Sequence, residues 1–193
     1  MVGVRDGLLT SWGRIAGPGA GVVENVGTLG LGVCGAVLRP RLVRPRDRHG
    51  PVGAAVVRVL ASDLWGGAWC NNTPAAARWY HREGHGPRRR LLFCAAHLHP
   101  FVLAWLDREP GRRPRWGRAG VQYVYGLGAA AVVEHAAPRS RRAIGLLATG
   151  GGVVLDRALG VSATAPWFAP VLFTKLLAGH AAGAALLPRV RSR

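Results

Sequence analysis

Residues 161–187 read VSATAPWFAPVLFTKLLAGHAAGAALL, and this stretch decides how the rest of the chain is read. Only Lys175 and His180 interrupt it with ionisable side chains. A helix needs about 20 predominantly apolar residues to cross a bilayer. The stretch exceeds that length, so the sequence predicts a membrane span here.

Five further apolar stretches precede it, at 17–38, 52–70, 91–106, 119–137 and 143–155. The first, second and fourth meet the spanning length. The third sits at its lower limit. The fifth reaches it only if Asp156 and Arg157 are counted in. Arginines fall mostly in the connectors, at 39–50, 71–90, 107–118 and 138–142, and in the tail. Charge between apolar segments, rather than along one face of each, is the membrane pattern; a water-facing helix shows an amphipathic stripe. The expectation is an all-α fold, a polytopic transmembrane helical bundle of about six spans. Five are expected if 143–155 is re-entrant. Three regions follow: a short N-terminal segment (1–16), one transmembrane helical domain (17–187) and a basic C-terminal tail (188–193). The expected location is multi-pass in a bacterial inner membrane. Arginine is too evenly shared between alternate connectors to set the orientation.

Composition narrows the function less than the charge suggests. The 193 residues are 49% hydrophobic and 18% charged, with a net charge of +17. Of the 26 basic residues, all but Lys175 are Arg, in a chain also rich in Ala, Gly, Val and Pro. A GC-rich coding sequence produces that bias without any polyanionic partner, and no nucleic-acid-binding motif accompanies it. Nucleic acid is therefore not an expected partner. The expected partner is a bilayer with anionic headgroups, with a homo-oligomer as a further possibility. Three cysteines without paired spacing argue against a disulfide framework and a four-cysteine zinc module.

The chemistry-bearing residues lie inside the apolar stretches, where ionisable groups are costly unless paired or wet. Asp63, Gly67 and Asn71 are spaced i, i+4, i+8 and share a helix face. Gly66 and Gly67 allow another helix to approach closely. His97 and His99 flank a residue that would put their rings on opposite sides of a regular helix. Pro100 disfavours the helical region at His99, so a local break brings both rings to one cavity. Glu134, Lys175 and His180 complete the set. Asp63, His97, His99, Glu134, Lys175 and His180 are the catalytic candidates, and His97, His99 and His180 are the metal-ligand candidates, since neutral imidazole suits zinc and iron. The connector Arg78-Trp79-Tyr80-His81-Arg82 interleaves rings with cations and is the candidate site for an anionic headgroup.

Three function classes fit this pattern. The leading one is a structural or accessory membrane protein whose internal charges only pair helices. The second is a membrane-embedded enzyme acting on a lipid or isoprenoid-like substrate, with Asp63 orienting a catalytic or metal-bound histidine. The third is a proton-coupled transporter of small solutes, in which the same groups form a relay.

Overall fold

A computed structural model describes residues 11–42, 50–108 and 114–187. The parts of the expected N-terminal segment and tail at 1–10 and 188–193 lie outside these. The described residues are helical, and no strand occurs among them. After a helical stretch at 11–16 come α1 (Val22–Leu42), α2 (Gly50–Cys70), α3 (Pro74–Tyr80), α4 (Pro87–Ala95), α5 (His99–Leu106), α6 (Trp116–His135), α7 (Arg141–Leu159) and α8 (Phe168–Phe173). Helix α8 continues as a π-helical segment (Thr174–Ala181) and ends in a 3₁₀ turn (Gly183–Leu186).

Local chemistry sets these boundaries. The Glu24 carboxylate accepts the Gly21 N–H at the start of α1, capping a donor that the helix leaves unpaired. The Thr73 side chain accepts the Ala76 N–H and Pro74 occupies the first turn of α3, where its missing N–H costs nothing. Gly160, at φ 89°, stops α7 in the left-handed region that glycine enters freely.

Helices α1 and α2 form a hairpin in close contact. A Cβ added at Gly66 would lie 2.8 Å from the Thr28 carbonyl oxygen, so glycine is what lets the two backbones meet. Helices α2, α6 and α7 surround the 161–187 stretch. Its π-helical segment packs against all three, and every residue from Lys175 to Ala181 is buried. Phe168, Phe173 and Leu177 anchor a core that also takes in Leu64, Leu103 and Val133. Gly152 gives Phe173 its room, since a Cβ there would meet the ring at 2.4 Å.

The expected multi-pass inner-membrane bundle is overturned by this arrangement. No helix among the described residues is long and apolar enough to cross a membrane. The 161–187 stretch is apolar because it is the centre of the bundle, and it changes helix type twice along its length. The 91–106 stretch is two short helices broken at 96–98. The longer helices carry charge within them: Arg58 and Asp63 in α2, Arg118 and Glu134 in α6, Arg141, Arg142, Asp156 and Arg157 in α7. Their many glycines and alanines add little hydropathy to offset it. Trp65 is half-buried and Trp69 is 40% exposed, and each rests on a neighbouring element. Trp65 lies 6.0 Å from Trp167, centroid to centroid, and Trp69 faces Gly27 of α1.

Candidate metal centre

The break between α4 and α5 places His97 and His99 beside Asp63. The His97 ring nitrogen Nδ1 meets the Phe93 carbonyl at 2.6 Å. That oxygen can only accept, so Nδ1 carries the proton and Nε2 keeps a free lone pair. Pro100 stands at the start of α5. Leu98, just outside the helix, turns the chain so that the two rings come within 5.1 Å, centroid to centroid. On an unbroken helix they would diverge.

Asp63 enters from α2. Its Oδ2 lies 2.6 Å from Lys175 Nζ and 3.3 Å from His99 Nε2. Lys175 comes from the π-helical segment, and its stem runs over Gly67, where an added Cβ would lie 2.5 Å from Cε. The four side chains span a gradient of burial. Lys175 is 4% exposed at its side chain, His99 22% and Asp63 46%, while His97 is buried. The cluster is therefore anchored inside and open at Asp63.

One ligand atom each from Asp63, His97 and His99 fall within 4.8 Å of one another. Electrostatics leaves Asp63 and His97 in ligand form. Burial raises the Asp63 carboxyl, but the His99 hydrogen bond and the Lys175 ammonium outweigh it and hold the group well below the usual carboxylate range. Burial, with the Lys175 charge behind it, pushes His97 down to about 4, so its imidazole is neutral at pH 7. His99 Nδ1 is buried and has no hydrogen-bond partner.

The remaining candidates fall elsewhere. His180 is 2% exposed, and both its ring nitrogens lack partners. Its ring stacks on Phe93 at 4.0 Å, and Phe93 in turn lies 4.6 Å from His97. Phe93 is thus in ring contact with both imidazoles, and His180 is not in the group of three. Burial, with His81 and His97 adding to it, pushes His180 down to about 3. Glu134 takes both nitrogens of a guanidinium, at 2.6 Å from Arg90 Nε and 2.8 Å from Arg90 Nη2. Asn71 donates to the Lys175 carbonyl at 3.2 Å and holds the π-helical segment against α2.

The connector 78–82 divides by direction. Arg78 is exposed. Trp79 lines a surface cavity, and the Arg82 guanidinium lies 3.4 Å from its ring centroid. Tyr80 points inward, its hydroxyl directed at the Arg14 and Ile15 carbonyls at 3.4 and 3.5 Å. The His81 ring meets the His180 carbonyl at 2.9 Å. Sequence reasoning missed Arg90 and Trp12. Arg90 stood as one of three consecutive arginines in a connector, and Trp12 as part of a segment too short to place.

Comparison of the chain with protein-family models, with curated proteins and with solved structures gives no match.

Proposed function

We propose that this chain holds a divalent transition-metal ion, zinc or iron, at Asp63, His97 and His99, and acts as a metal-dependent enzyme. The observation that carries this reading is the convergence of two imidazoles and one carboxylate from separate elements within 4.8 Å. Two histidines and one carboxylate are a recurrent ligand set for both metals. The Phe93 carbonyl fixes the His97 tautomer, the outer-shell contact that metal-bound histidines usually have. Lys175 takes Asp63 Oδ2 from the buried side and leaves Oδ1 for the ion.

Three protein ligands leave coordination positions open to water or substrate. Asp63 is the exposed member, so those positions face outward. An ion there would polarise a substrate oxygen or lower the pKa of a bound water. Lys175, beside the carboxylate, supplies positive charge next to whatever anion develops. Metal bonds of about 2.0–2.1 Å require ligand atoms roughly 3.3 Å apart. Binding therefore draws the three side chains inward, and the half-exposed Asp63 has the freedom to move.

A second reading rests on Arg90–Glu134 and on Arg118–Asp156 at 2.7 Å. These pairs sit at helix contacts and support a helical scaffold whose internal charges serve folding alone. Elemental mass spectrometry of the purified full chain separates the two. About one equivalent of zinc or iron per chain, lost in a folded His97→Ala/His99→Ala variant, is the expected result. Folded wild type that takes up neither metal from equimolar solution overturns the metal reading and leaves the scaffold.

A further inference from the structure

A cavity of about 500 Å³ opens on the other side of Tyr80's neighbour, Trp79. It falls within the roughly 300–1,000 Å³ range of small-molecule sites. Trp12 and Trp79 give it two indole walls, Arg14 gives it a cation, and the loop Gly17–Ala20 and Asn25 complete the lining. No residue of the proposed metal centre takes part.

The walls are held in place before any ligand arrives. The Trp12 indole N–H donates to Asn25 Oδ1 at 2.7 Å, and Asn25 Nδ2 donates to the Ala20 carbonyl at 2.9 Å. One chain of hydrogen bonds thus fixes Trp12, the first turn of α1 and the loop together. Gly17, at φ 91°, makes the loop possible, because a Cβ there would also lie 2.3 Å from the Ala75 carbonyl oxygen. On the far wall the Arg82 guanidinium sits on Trp79 and donates to the Trp79 carbonyl, which restrains the indole.

The charge of the cavity is one-sided. Arg14 is exposed, and Arg82 stands beside Trp79. The acid beside Asn25 in sequence, Glu24, spends its two oxygens on the backbone N–H groups of Gly21 and Ala75. Flat apolar walls beside the exposed Arg14 guanidinium select for a flat ligand with a negative charge. An aromatic ring stacks on tryptophan whatever its substituents, and a guanidinium binds phosphate or carboxylate through charge-assisted hydrogen bonds.

We propose that the Trp12–Trp79 cavity binds an aromatic ring system carrying a phosphate or carboxylate. A mononucleotide and a free aromatic acid share that chemistry. The test is calorimetric titration of the full chain with AMP, adenosine, inorganic phosphate and 4-hydroxybenzoate. AMP or 4-hydroxybenzoate binding is expected, and which of the two binds tells phosphate from carboxylate. Adenosine and inorganic phosphate alone should each bind at least about tenfold more weakly, the loss of one charged hydrogen bond or one stacked ring. Arg14→Ala, an exposed substitution that spares the fold, should weaken binding about tenfold. Trp79→Leu should do the same and Trp79→Phe should retain most of it. No binding of either acid to folded wild type up to millimolar concentration overturns the proposal. So does adenosine binding as tightly as AMP, or binding indifferent to both Arg14→Ala and Trp79→Leu. Metal content and this binding are read independently, so either site can fail alone.

Discussion

The Arg90–Glu134 pair and the Asp63–Lys175 pair join helices through one carboxylate and one cation each, yet they are finished to different degrees. Glu134 is 1% exposed at its side chain, and both its oxygens meet Arg90. A third guanidinium nitrogen, Nη1, donates to the His85 carbonyl. Arg141 closes the end of the same helix, its Nη2 donating to the Glu134 carbonyl at 2.6 Å. Nothing polar is left over. Asp63, by contrast, is half-exposed, it shares Oδ2 between Lys175 and His99, and the His99 imidazole beside it keeps a buried Nδ1 without a partner. A pair built for folding closes on itself. A group of side chains that stays open spends stability on something else, and buried polar atoms without partners are where such a cost shows.

The largest effect expected from breaking the contrast is at the closed pair. Glu134→Ala leaves the Arg90 guanidinium buried without a counter-charge, which costs about 3–5 kcal/mol. Urea unfolding should show that loss as a lower midpoint at unchanged slope. A change below about 1 kcal/mol would mean that Arg90 reaches water in the variant, and the pair would no longer count as closed.

The next effect is at the buried histidines and depends on pH. His180 is depressed to about 3 and His97 to about 4, while an unfolded histidine titrates near 6.5. The unfolded chain therefore binds protons that the native chain refuses. The stability is fully present above pH 6.5 and falls as pH drops through the window from 6.5 towards 4 and then 3. Each unit of depression contributes about 1.4 kcal/mol at the bottom of that window. His180→Leu keeps the volume of the buried side chain and removes the titrating group. Its acid unfolding midpoint should shift to lower pH while its stability at pH 8 holds or improves. An unshifted midpoint would show that His180 takes a proton in the native fold.

How much of this was legible before the structure follows from the same contrast. Helix was legible throughout, since long apolar runs bounded by Arg, Pro and Gly admit little else. The conjunction at 97–100 was legible too, because a proline after a histidine forecasts a break and a break forecasts converging rings. Which charges meet was not. Only the packing of α4 on α6 gives Glu134 its Arg90, and only the packing of the π-helical segment on α2 gives Asp63 its Lys175. The membrane reading failed for a related reason. Hydropathy records that 161–187 avoids water, and it cannot record whether lipid or protein replaces the water. The answer lies in long-range contacts with α2, α6 and α7.

The smallest effect on stability should be at Lys175, and it sharpens the comparison most. Lys175→Met keeps the stem that lies over Gly67 and removes the ammonium. The carboxylate left behind is 46% exposed and still has His99 beside it, so it remains hydrated, unlike the Arg90 left by Glu134→Ala. A half-exposed charge that loses its partner costs within about 1 kcal/mol. Burial already works against the ammonium in the native fold, with Asp63 holding it in place, so its removal also lifts a desolvation cost. For metal binding the sign reverses. Lys175 and a divalent cation repel each other across the same carboxylate, so the variant should bind zinc at least about tenfold more tightly. Competition titration against a chromogenic chelator reads that shift directly. Zinc affinity unchanged or weakened in a folded Lys175→Met variant would place the ion away from Asp63, and the open cluster would then belong with the closed pair as part of the scaffold.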